Sequence, residues 1–350
     1  MRSAPSAGPV AEPAVYVHGL GGSATNWTDL MALLGGHPAT AGPECATAAP
    51  DGATAALDGA IAAPDGATAP PDCDVHHSGI PARSPDDAGS GILLDGEAVD
   101  LPGFGFSPPP PDGDYSISGH ARSVARLIDR RGRGPVHLFG NSLGGAVCTR
   151  LAARRPDLVR TLTLISPALP DLRPRSATLS FPLLLVPGLG DRLISQLRLR
   201  PVPARVAATA DLVYFDPLRI HPQRHGEEIA ELARRDGLEY AAAVVLGSAR
   251  AVVREYFRVG SRSLWCDAMQ VSAPVLAIFG SHDRMVGHGQ ARRATRRFPV
   301  GRSVVLLRTG HVAQMETPAA VAREVRTFLR DYAGRSVSEA RDGLAEPGLR

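Results

Sequence analysis

The chain of 350 residues contains no lysine, so its 38 lysine-or-arginine positions are all arginine. Schiff-base and pyridoxal-phosphate mechanisms need a lysine amine, and the phosphate-binding P-loop needs the lysine of its GK[ST] motif. The sequence therefore excludes both kinds of chemistry. The abundance of alanine, glycine, proline and arginine is typical of a protein encoded by a GC-rich genome.

Cysteine is also scarce, and its spacing gives no metal-binding pattern. The four cysteines form no CxxC pair: Cys45, Cys73, Cys148 and Cys266. We expect reduced thiols, although Cys45 and Cys73 flank a low-complexity segment and could pair under oxidising conditions. His76 and His77 lie near Cys73 and could bind a metal adventitiously, but neither a cofactor nor a metal site is predicted.

Long apolar runs are absent as well. The N-terminal stretch MRSAPSAGPVAEPA lacks the apolar core of a signal peptide, and the longest apolar runs, such as FPLLLVPGL, are too short to span a bilayer. The formal net charge is +3, and the arginines are scattered rather than interleaved with aromatic residues. We therefore expect a cytoplasmic protein with no membrane span and no nucleic-acid partner.

Short apolar runs alternate with amphipathic stretches along much of the chain. Runs without polar–apolar alternation are typical of parallel strands covered on both faces. Such strands are predicted at 14–19, 97–102, 136–141, 161–166, 275–280 and 303–308, and helices at 120–131, 146–156 and 318–332. The alternation predicts the α/β class, with a mostly parallel open sheet flanked by helices.

Two segments interrupt this alternation. Residues 170–272 contain helical stretches but no series of strands, which predicts a helical cap inserted between core parts at 1–169 and 273–333. Residues 35–95 are rich in Gly, Pro, Ala and Asp, and contain a seven-residue repeat that starts at Asp51, Asp58 and Asp65. One Leu or Ile per repeat cannot form a coiled-coil seam. We expect this segment, like the tail at 334–350, to be disordered.

A glycine-dense turn, FGNSLGGAV at 139–147, follows one predicted strand and opens a predicted helix. Such glycines either open the backbone for a phosphate or make room for a sharply bent nucleophile. The stretch does not match GxGxxG, but it does match G-x-S-x-G, with Gly140 and Gly144 flanking Ser142. This five-residue pattern is weak alone; at a strand-to-helix turn it favours Ser142 as a nucleophile.

A serine nucleophile needs a base, and the base needs a carboxylate to orient it. His311 follows the strand at 303–308, and Asp283 follows the strand at 275–280. Both therefore lie at the carboxyl edge of the sheet, as Ser142 does. The sequence predicts a catalytic triad in the chain order Ser142, Asp283, His311.

The developing oxyanion needs two backbone N–H donors. We predict the N–H of Leu143, directly after the nucleophile, as one donor. The second is predicted in the loop after the first strand, where His18 and Gly19 precede Leu20. A glycine-rich loop after a strand can also bind a dinucleotide, but HGLGGS does not match GxGxxG.

Six stretches together resemble the successive landmarks of the α/β-hydrolase superfamily: VYVHGLGGSATNW, VDLPGFGFSPPP, VHLFGNSLGGAV, LISPALP, FGSHDRMV and GHVAQMETP. The resemblance implies an eight-stranded, mostly parallel sheet, a helical cap after the sixth strand and a Ser-His-Asp triad. It assigns the nucleophile to Ser142, the base to His311, the acid to Asp283, and the oxyanion donors to Leu20 and Leu143.

Two features depart from that family. Only 13 residues precede Ala14, so the two N-terminal strands of the family are expected to be missing, or the start to be truncated. The stretch that holds the repeat is several times longer than usual, which fits a lineage-specific loop or an error in the reading frame.

A serine at position 142 argues against the dehalogenase and epoxide-hydrolase branches, whose nucleophile is a carboxylate. We predict a serine hydrolase that cleaves a small, apolar carboxylic ester through an acyl-enzyme. A carbon–carbon hydrolase of aromatic ring-cleavage products, a cofactor-free perhydrolase and a non-catalytic ligand receptor are the alternatives. The expected partner is a small ester-like molecule, and the oligomeric state stays open.

Overall fold

The computed structural model describes residues 11–35, 92–171, 175–178, 181–186 and 188–332. The described residues form one sheet with six strands: β1 (Glu12–Val17), β2 (Leu94–Val99), β3 (Val136–Asn141), β4 (Val159–Ile165), β5 (Val275–Gly280) and β6 (Gly301–Leu306). The strands lie in the order β2-β1-β3-β4-β5-β6, and every neighbouring pair is parallel. All six strands therefore end at the same edge of the sheet.

The central strands are buried because helices cover both faces of the sheet. Every residue of β3 and of β5 is buried. Leu138 and Phe139 are neighbours in β3 but pack in different apolar clusters, since successive side chains of a strand point to opposite faces. Leu138 packs with Val147 on one face, and Phe139 packs with Phe328 on the other.

Six helices belong to the core that surrounds the sheet: α1 (Thr28–Gly35), α2 (Ile117–Arg131), α3 (Leu143–Arg154), α9 (Gln290–Arg297), α10 (Ala313–Glu316) and α11 (Pro318–Tyr332). Five more lie between β4 and β5: α4 (Leu189–Arg198), α5 (Val202–Val213), α6 (Pro222–Asp236), α7 (Ala241–Glu255) and α8 (Leu264–Gln270). We refer to the chain between β4 and β5 as the helical insertion.

The predicted α/β class, the parallel sheet and the helical insertion after the strand at 161–166 are confirmed. Helix α11 has the predicted bounds. Strands β1, β2, β4 and β6 begin two or three residues earlier than predicted. In β1 the strand ends at Val17 because the His18 side chain bonds to the next loop.

Six strands are found in the described residues, against the eight that the family resemblance implies. The prediction that the family's two N-terminal strands are missing, or that the start is truncated, concerns residues 1–10, which lie outside the described residues. The repeat and the tail also lie outside them. The strand β2 begins at Leu94, near the predicted end of the segment at about 35–95, and Leu94 pairs with Glu12.

None of the helices in the described ranges combines the length and the apolar character that crossing a membrane requires.

Candidate active site

Ser142 lies on a strained turn between β3 and α3. Its φ of 51° and ψ of −115° are values that an L-residue rarely adopts. The surrounding backbone fixes this turn, because the Ser142 N–H donates to the carbonyl of Ile165 at 3.0 Å and the Ser142 carbonyl accepts from Ala168 at 2.9 Å. The residue as a whole is 9% exposed.

The two glycines that flank Ser142 leave no room for a side chain. A Cβ on Gly140 would lie 2.6 Å from the Gly144 carbonyl oxygen, and a Cβ on Gly144 would collide with the Val17 carbonyl. Both clashes are with backbone, which cannot move without disturbing the sheet. The glycines therefore permit the close packing of the turn against β1.

Asp283 and His311 form a buried pair at the ends of β5 and β6. The Asp283 Oδ2 accepts a hydrogen bond from His311 Nδ1 at 2.8 Å, and both residues are 3% exposed. The other carboxylate oxygen accepts from the N–H groups of Met285 at 2.7 Å and Val286 at 2.9 Å. This arrangement fixes the ring orientation, and no hydrogen bond to His311 Nε2 is found among the described residues.

The pKa of Asp283 is lowered. Burial alone would raise it, but the charge and the hydrogen bond of His311, together with the two backbone N–H donors, outweigh the burial. Asp283 is therefore ionised at neutral pH and can stabilise a positively charged imidazole.

Asn141 joins the serine turn to the histidine loop. Its Nδ2 donates to the carbonyl of Ile165 at 3.1 Å and to the carbonyl of His311 at 3.2 Å. Among the described residues, no hydrogen bond connects Ser142 Oγ to His311. The structure thus brings Asp283 and His311 into direct contact, and Asn141, the residue before Ser142, bonds to the His311 carbonyl. A nucleophile–base hydrogen bond is often long without substrate and shortens in the complex.

The N–H groups of Leu20 and Leu143 are the predicted oxyanion donors. Leu143 is the first residue of α3, so its N–H has no partner inside the helix. No hydrogen bond in the described ranges uses the Leu20 N–H. A Cβ built on the neighbouring Gly19 would lie 3.2 Å from the Ser142 Cβ, so the loop that holds Leu20 comes close to Ser142.

His18 fixes that loop from inside the protein. Its Nε2 accepts a hydrogen bond from the Leu101 N–H at 3.0 Å, which leaves Nδ1 to donate to the Gly19 carbonyl at 2.7 Å. Burial lowers the pKa of His18, so the ring is neutral. A neutral ring with one acceptor and one donor matches the two bonds observed.

Three residues at this edge were not singled out from the sequence: Asn141, Asp100 and Glu316. Asp100 accepts from Ala24 N–H at 2.7 Å and Phe106 N–H at 2.9 Å, and so joins the loops after β1 and β2. Asp100 and Glu316 do lie in stretches that carry the family resemblance, VDLPGFG and GHVAQMETP. Their position within those stretches was the only signal in the sequence that pointed to Asp100 and Glu316. Their hydrogen-bond partners could not be predicted, because those partners are distant in sequence.

A cavity of about 670 Å³ lies beside Asp283. Its lining includes Arg175 from the insertion and Arg284 from the loop after β5, and neither guanidinium has a carboxylate partner among the described residues. The Phe215 ring also lines it, 4.4 Å from the His282 ring. The cavity therefore offers cationic groups next to an aromatic surface.

Within the ranges that the structure describes, no group of three or more His, Cys, Asp or Glu side chains is arranged to hold a metal ion. Cys148 is buried, and burial raises the pKa of its thiol well above the usual range, so it is not an activated nucleophile.

A parallel sheet with this strand order, a strained serine at the end of a central strand and a buried Asp–His pair at two later strand ends define a hydrolase of the α/β class. The model of the family described as "alpha/beta hydrolase fold" matches residues 97–318. The chain belongs to this family.

Relatives within the family differ in the bond that they cleave. The chain is 27% identical over 269 residues to 2-hydroxymuconate semialdehyde hydrolase of Pseudomonas putida, covering 73% of this chain and 86% of that one. It is 26% identical over 231 residues to pimeloyl-[acyl-carrier protein] methyl ester esterase of Aeromonas salmonicida, covering 66% and 83%. A putative lipase from Acinetobacter baumannii shares the fold, with a TM-score of 0.61, 17% identity, and coverage of 92% and 85%.

Proposed function

We propose that this hydrolase is a serine esterase that cleaves a small, apolar carboxylic ester. The observation that carries the proposal is the buried 2.8 Å pair of Asp283 and His311, joined through Asn141 to the strained turn of Ser142. An ionised acid, a base oriented by it and a serine in a strained turn are the parts that acyl transfer requires.

The reaction begins when Ser142 Oγ attacks the ester carbonyl and His311 Nε2 takes the serine proton. The N–H groups of Leu20 and Leu143 stabilise the oxyanion of the tetrahedral intermediate. The intermediate collapses as His311 returns the proton to the leaving alcohol, which produces the acyl-enzyme. Water, activated by His311, attacks the acyl carbonyl, and the carboxylic acid leaves as Ser142 regains its proton.

The helical insertion, with proposed limits at 170–272, acts as the cap that selects the substrate. Its predicted role follows from its place in the chain, directly after β4 and before the strand that leads to Asp283. The esterase relative from Aeromonas supports ester cleavage as the reaction.

The decisive experiment is the variant Ser142→Ala. We expect it to abolish hydrolysis of p-nitrophenyl esters and labelling by a fluorophosphonate probe, with an unchanged melting temperature. The matched control is Ser123→Ala, which changes a serine on α2 whose hydroxyl, among the described residues, bonds only to the Gly119 carbonyl and an arginine of the same helix. Substantial remaining turnover in Ser142→Ala would refute the proposed nucleophile.

A second candidate is the cleavage of a carbon–carbon bond in a carboxylate-bearing ring-cleavage product. The guanidinium groups of Arg175 and Arg284, which line the cavity beside Asp283, can bind a carboxylate and so favour this candidate, although neither Ser142 nor His311 lines that cavity. The hydrolase relative from Pseudomonas supports the same candidate.

One substrate panel separates the two candidates. Neutral esters of increasing acyl length are assayed beside a ring-cleavage dienoate, with the wild type and Arg284→Gln. An esterase turns over the neutral esters equally well in both proteins. A carbon–carbon hydrolase prefers the dienoate, and Arg284→Gln raises the KM for that substrate alone.

A further inference from the structure

Glu316, the last residue of α10, has a fully buried side chain surrounded by donors. Its carboxylate accepts hydrogen bonds from the N–H groups of Gly310 at 2.6 Å, Phe215 at 3.1 Å and Asp216 at 3.0 Å. The Arg219 guanidinium donates to it at 3.4 Å. Since every partner is a donor, the site suits an ionised carboxylate, which accepts at both oxygens.

These donors come from two distant segments. Gly310 directly precedes His311, whereas Phe215 and Asp216 lie in the helical insertion, between α5 and α6. Glu316 therefore holds the loop of the proposed base against the insertion.

The two backbones also touch directly at this point. The His311 N–H donates to the Val213 carbonyl at 2.6 Å. A Cβ on Gly310 would lie 2.7 Å from the Phe215 nitrogen and would collide with the Val213 carbonyl. The backbones of the insertion and the histidine loop are in close contact, so a shift of residues 213–216 would move His311.

The ring Nδ1, the backbone carbonyl and the backbone N–H of His311 thus each have a hydrogen-bond partner. Asp283 holds the ring, Asn141 holds the carbonyl and Val213 holds the N–H. The carboxylate of Glu316 keeps Val213 in place by bonding to the residues that follow it. Without that carboxylate, the buried N–H of Gly310 and the partly buried N–H groups of Phe215 and Asp216 would lose their acceptor, and each loss would cost free energy.

We propose that Glu316 is a positioning residue that sets the placement of His311 and couples it to the position of the helical insertion. The proposal rests on the proposed function, in which His311 is the base. Glu316 takes no part in the chemistry itself. It acts by keeping the imidazole where a proton can be transferred, and a displacement of about 1 Å can cost on the order of 100-fold in rate.

The test is Glu316→Gln in the full chain. The amide keeps the shape of the side chain but replaces one acceptor by a donor that faces N–H groups. We expect kcat for a small neutral ester to fall roughly 10- to 100-fold, with KM changed much less, because the substrate contacts are untouched. The labelling rate of Ser142 by a fluorophosphonate should fall in parallel.

The matched control is Glu255→Gln. Glu255 is 3% exposed and joins the insertion to the core through Arg150, away from the histidine loop. We expect this variant to lower the melting temperature but to leave kcat near the wild-type value. Equal losses of kcat in the two variants, or a loss in Glu316→Gln that lies in KM alone, would overturn the proposal.

A spectroscopic readout separates this proposal from the proposed function. The His311 Nδ1 proton gives a low-field NMR resonance, identified by its loss in Asp283→Asn. Glu316→Gln should shift this resonance or speed its exchange with water, while Glu255→Gln should not. An unchanged resonance would refute the positioning role. Retained turnover in Ser142→Ala would refute the proposed nucleophile and leave the NMR result interpretable.

Discussion

His311 Nδ1 donates to Asp283 Oδ2 across 2.8 Å, in a pocket that leaves only 3% of either residue exposed. Burial would raise the pKa of Asp283, but His311 and two backbone donors lower it instead. The carboxylate therefore stays charged through the neutral and mildly acidic range.

Asp283→Asn should cut kcat by roughly 10³- to 10⁴-fold, because an amide can stabilise the wrong tautomer of His311 and cannot stabilise its protonated form. The measurement is steady-state hydrolysis of a p-nitrophenyl ester. The control is Asp331→Asn, which changes an exposed aspartate on α11 that pairs with Arg302. If Asp283→Asn kept more than a tenth of the wild-type kcat, Asp283 would not be the acid of a triad.

His120 should make the fold less stable in acid. Burial is the main reason that the pKa of His120 is lowered to about 4. In the unfolded chain the pKa of His120 is about 6.5, so between pH 6.5 and pH 4 the unfolded chain binds more protons than the folded chain. The contribution of neutral His120 to the free energy of unfolding is therefore present above pH 6.5 and is lost as the pH falls towards 4. Proton linkage at this residue lowers the free energy of unfolding by about 2 kcal/mol between pH 7 and pH 5.

Urea unfolding at pH 7 and pH 5 measures the effect of His120. The variant His120→Gln should lose roughly 2 kcal/mol less than the wild type on this acidification. His288→Gln, which changes an exposed histidine, should retain the wild-type dependence. The same pH dependence in all three proteins would show that His120 does not titrate as stated.

Gly144→Ala should destabilise the protein by more than about 2 kcal/mol, or prevent its folding, because the new Cβ collides with backbone. Gly226→Ala is the matched control. Gly226 lies inside α6, and a Cβ there would meet no atom within 4 Å. Since alanine favours a helix and restricts the unfolded chain, this variant should gain roughly 0.4–1 kcal/mol. Urea unfolding of the two variants measures whether the free energy of unfolding falls in Gly144→Ala and rises in Gly226→Ala.

Arg150 holds a buried ion cluster between the core and the insertion. This arginine of α3 is 1% exposed and pairs with Glu255 at 2.9 Å and Asp267 at 2.7 Å. Arg150→Met should cost roughly 3–5 kcal/mol, because it removes the ion pair of buried Asp267 and leaves buried Glu255 with only the longer 3.5 Å contact to Arg258.

A combined variant distinguishes lost pairing from lost packing around Arg150. Replacing Glu255 and Asp267 by apolar residues in the Arg150→Met background should recover most of the lost stability, since no buried charge then remains. Failure to recover, measured by urea unfolding, would mean that the arginine acts through its contacts rather than its charge.

The sheet could be predicted from the sequence because its strands are continuous apolar runs. The runs at 136–141 and 275–280 predicted β3 and β5 to the residue. The ends of other strands were less accurate, since they depend on side chains that bond outside the strand. His18 and Asp100 end β1 and β2 in this way, through partners in a neighbouring loop.

Local sequence also indicated the candidate site. The glycine pattern around Ser142 and the positions of Asp283 and His311 after strands predicted that three polar residues share one edge. The structure places Asp283 against His311, and their catalytic roles, with those of Leu20 and Leu143, stay predictions. The repeat at Asp51, Asp58 and Asp65 lies outside the described residues.

The sequence by itself determined the parallel sheet and its polar edge. Buried strands need continuous apolar runs and the tight turn needs glycines at fixed positions, and both are local features of the sequence. It could not determine which buried charges meet. Arg150 and Glu255 are 105 positions apart, and Glu316 and Phe215 are 101 apart. A buried carboxylate is tolerated only where donors from distant segments converge on it. That convergence is a property of the tertiary structure, and it decided that Glu316 holds the insertion against the loop of His311.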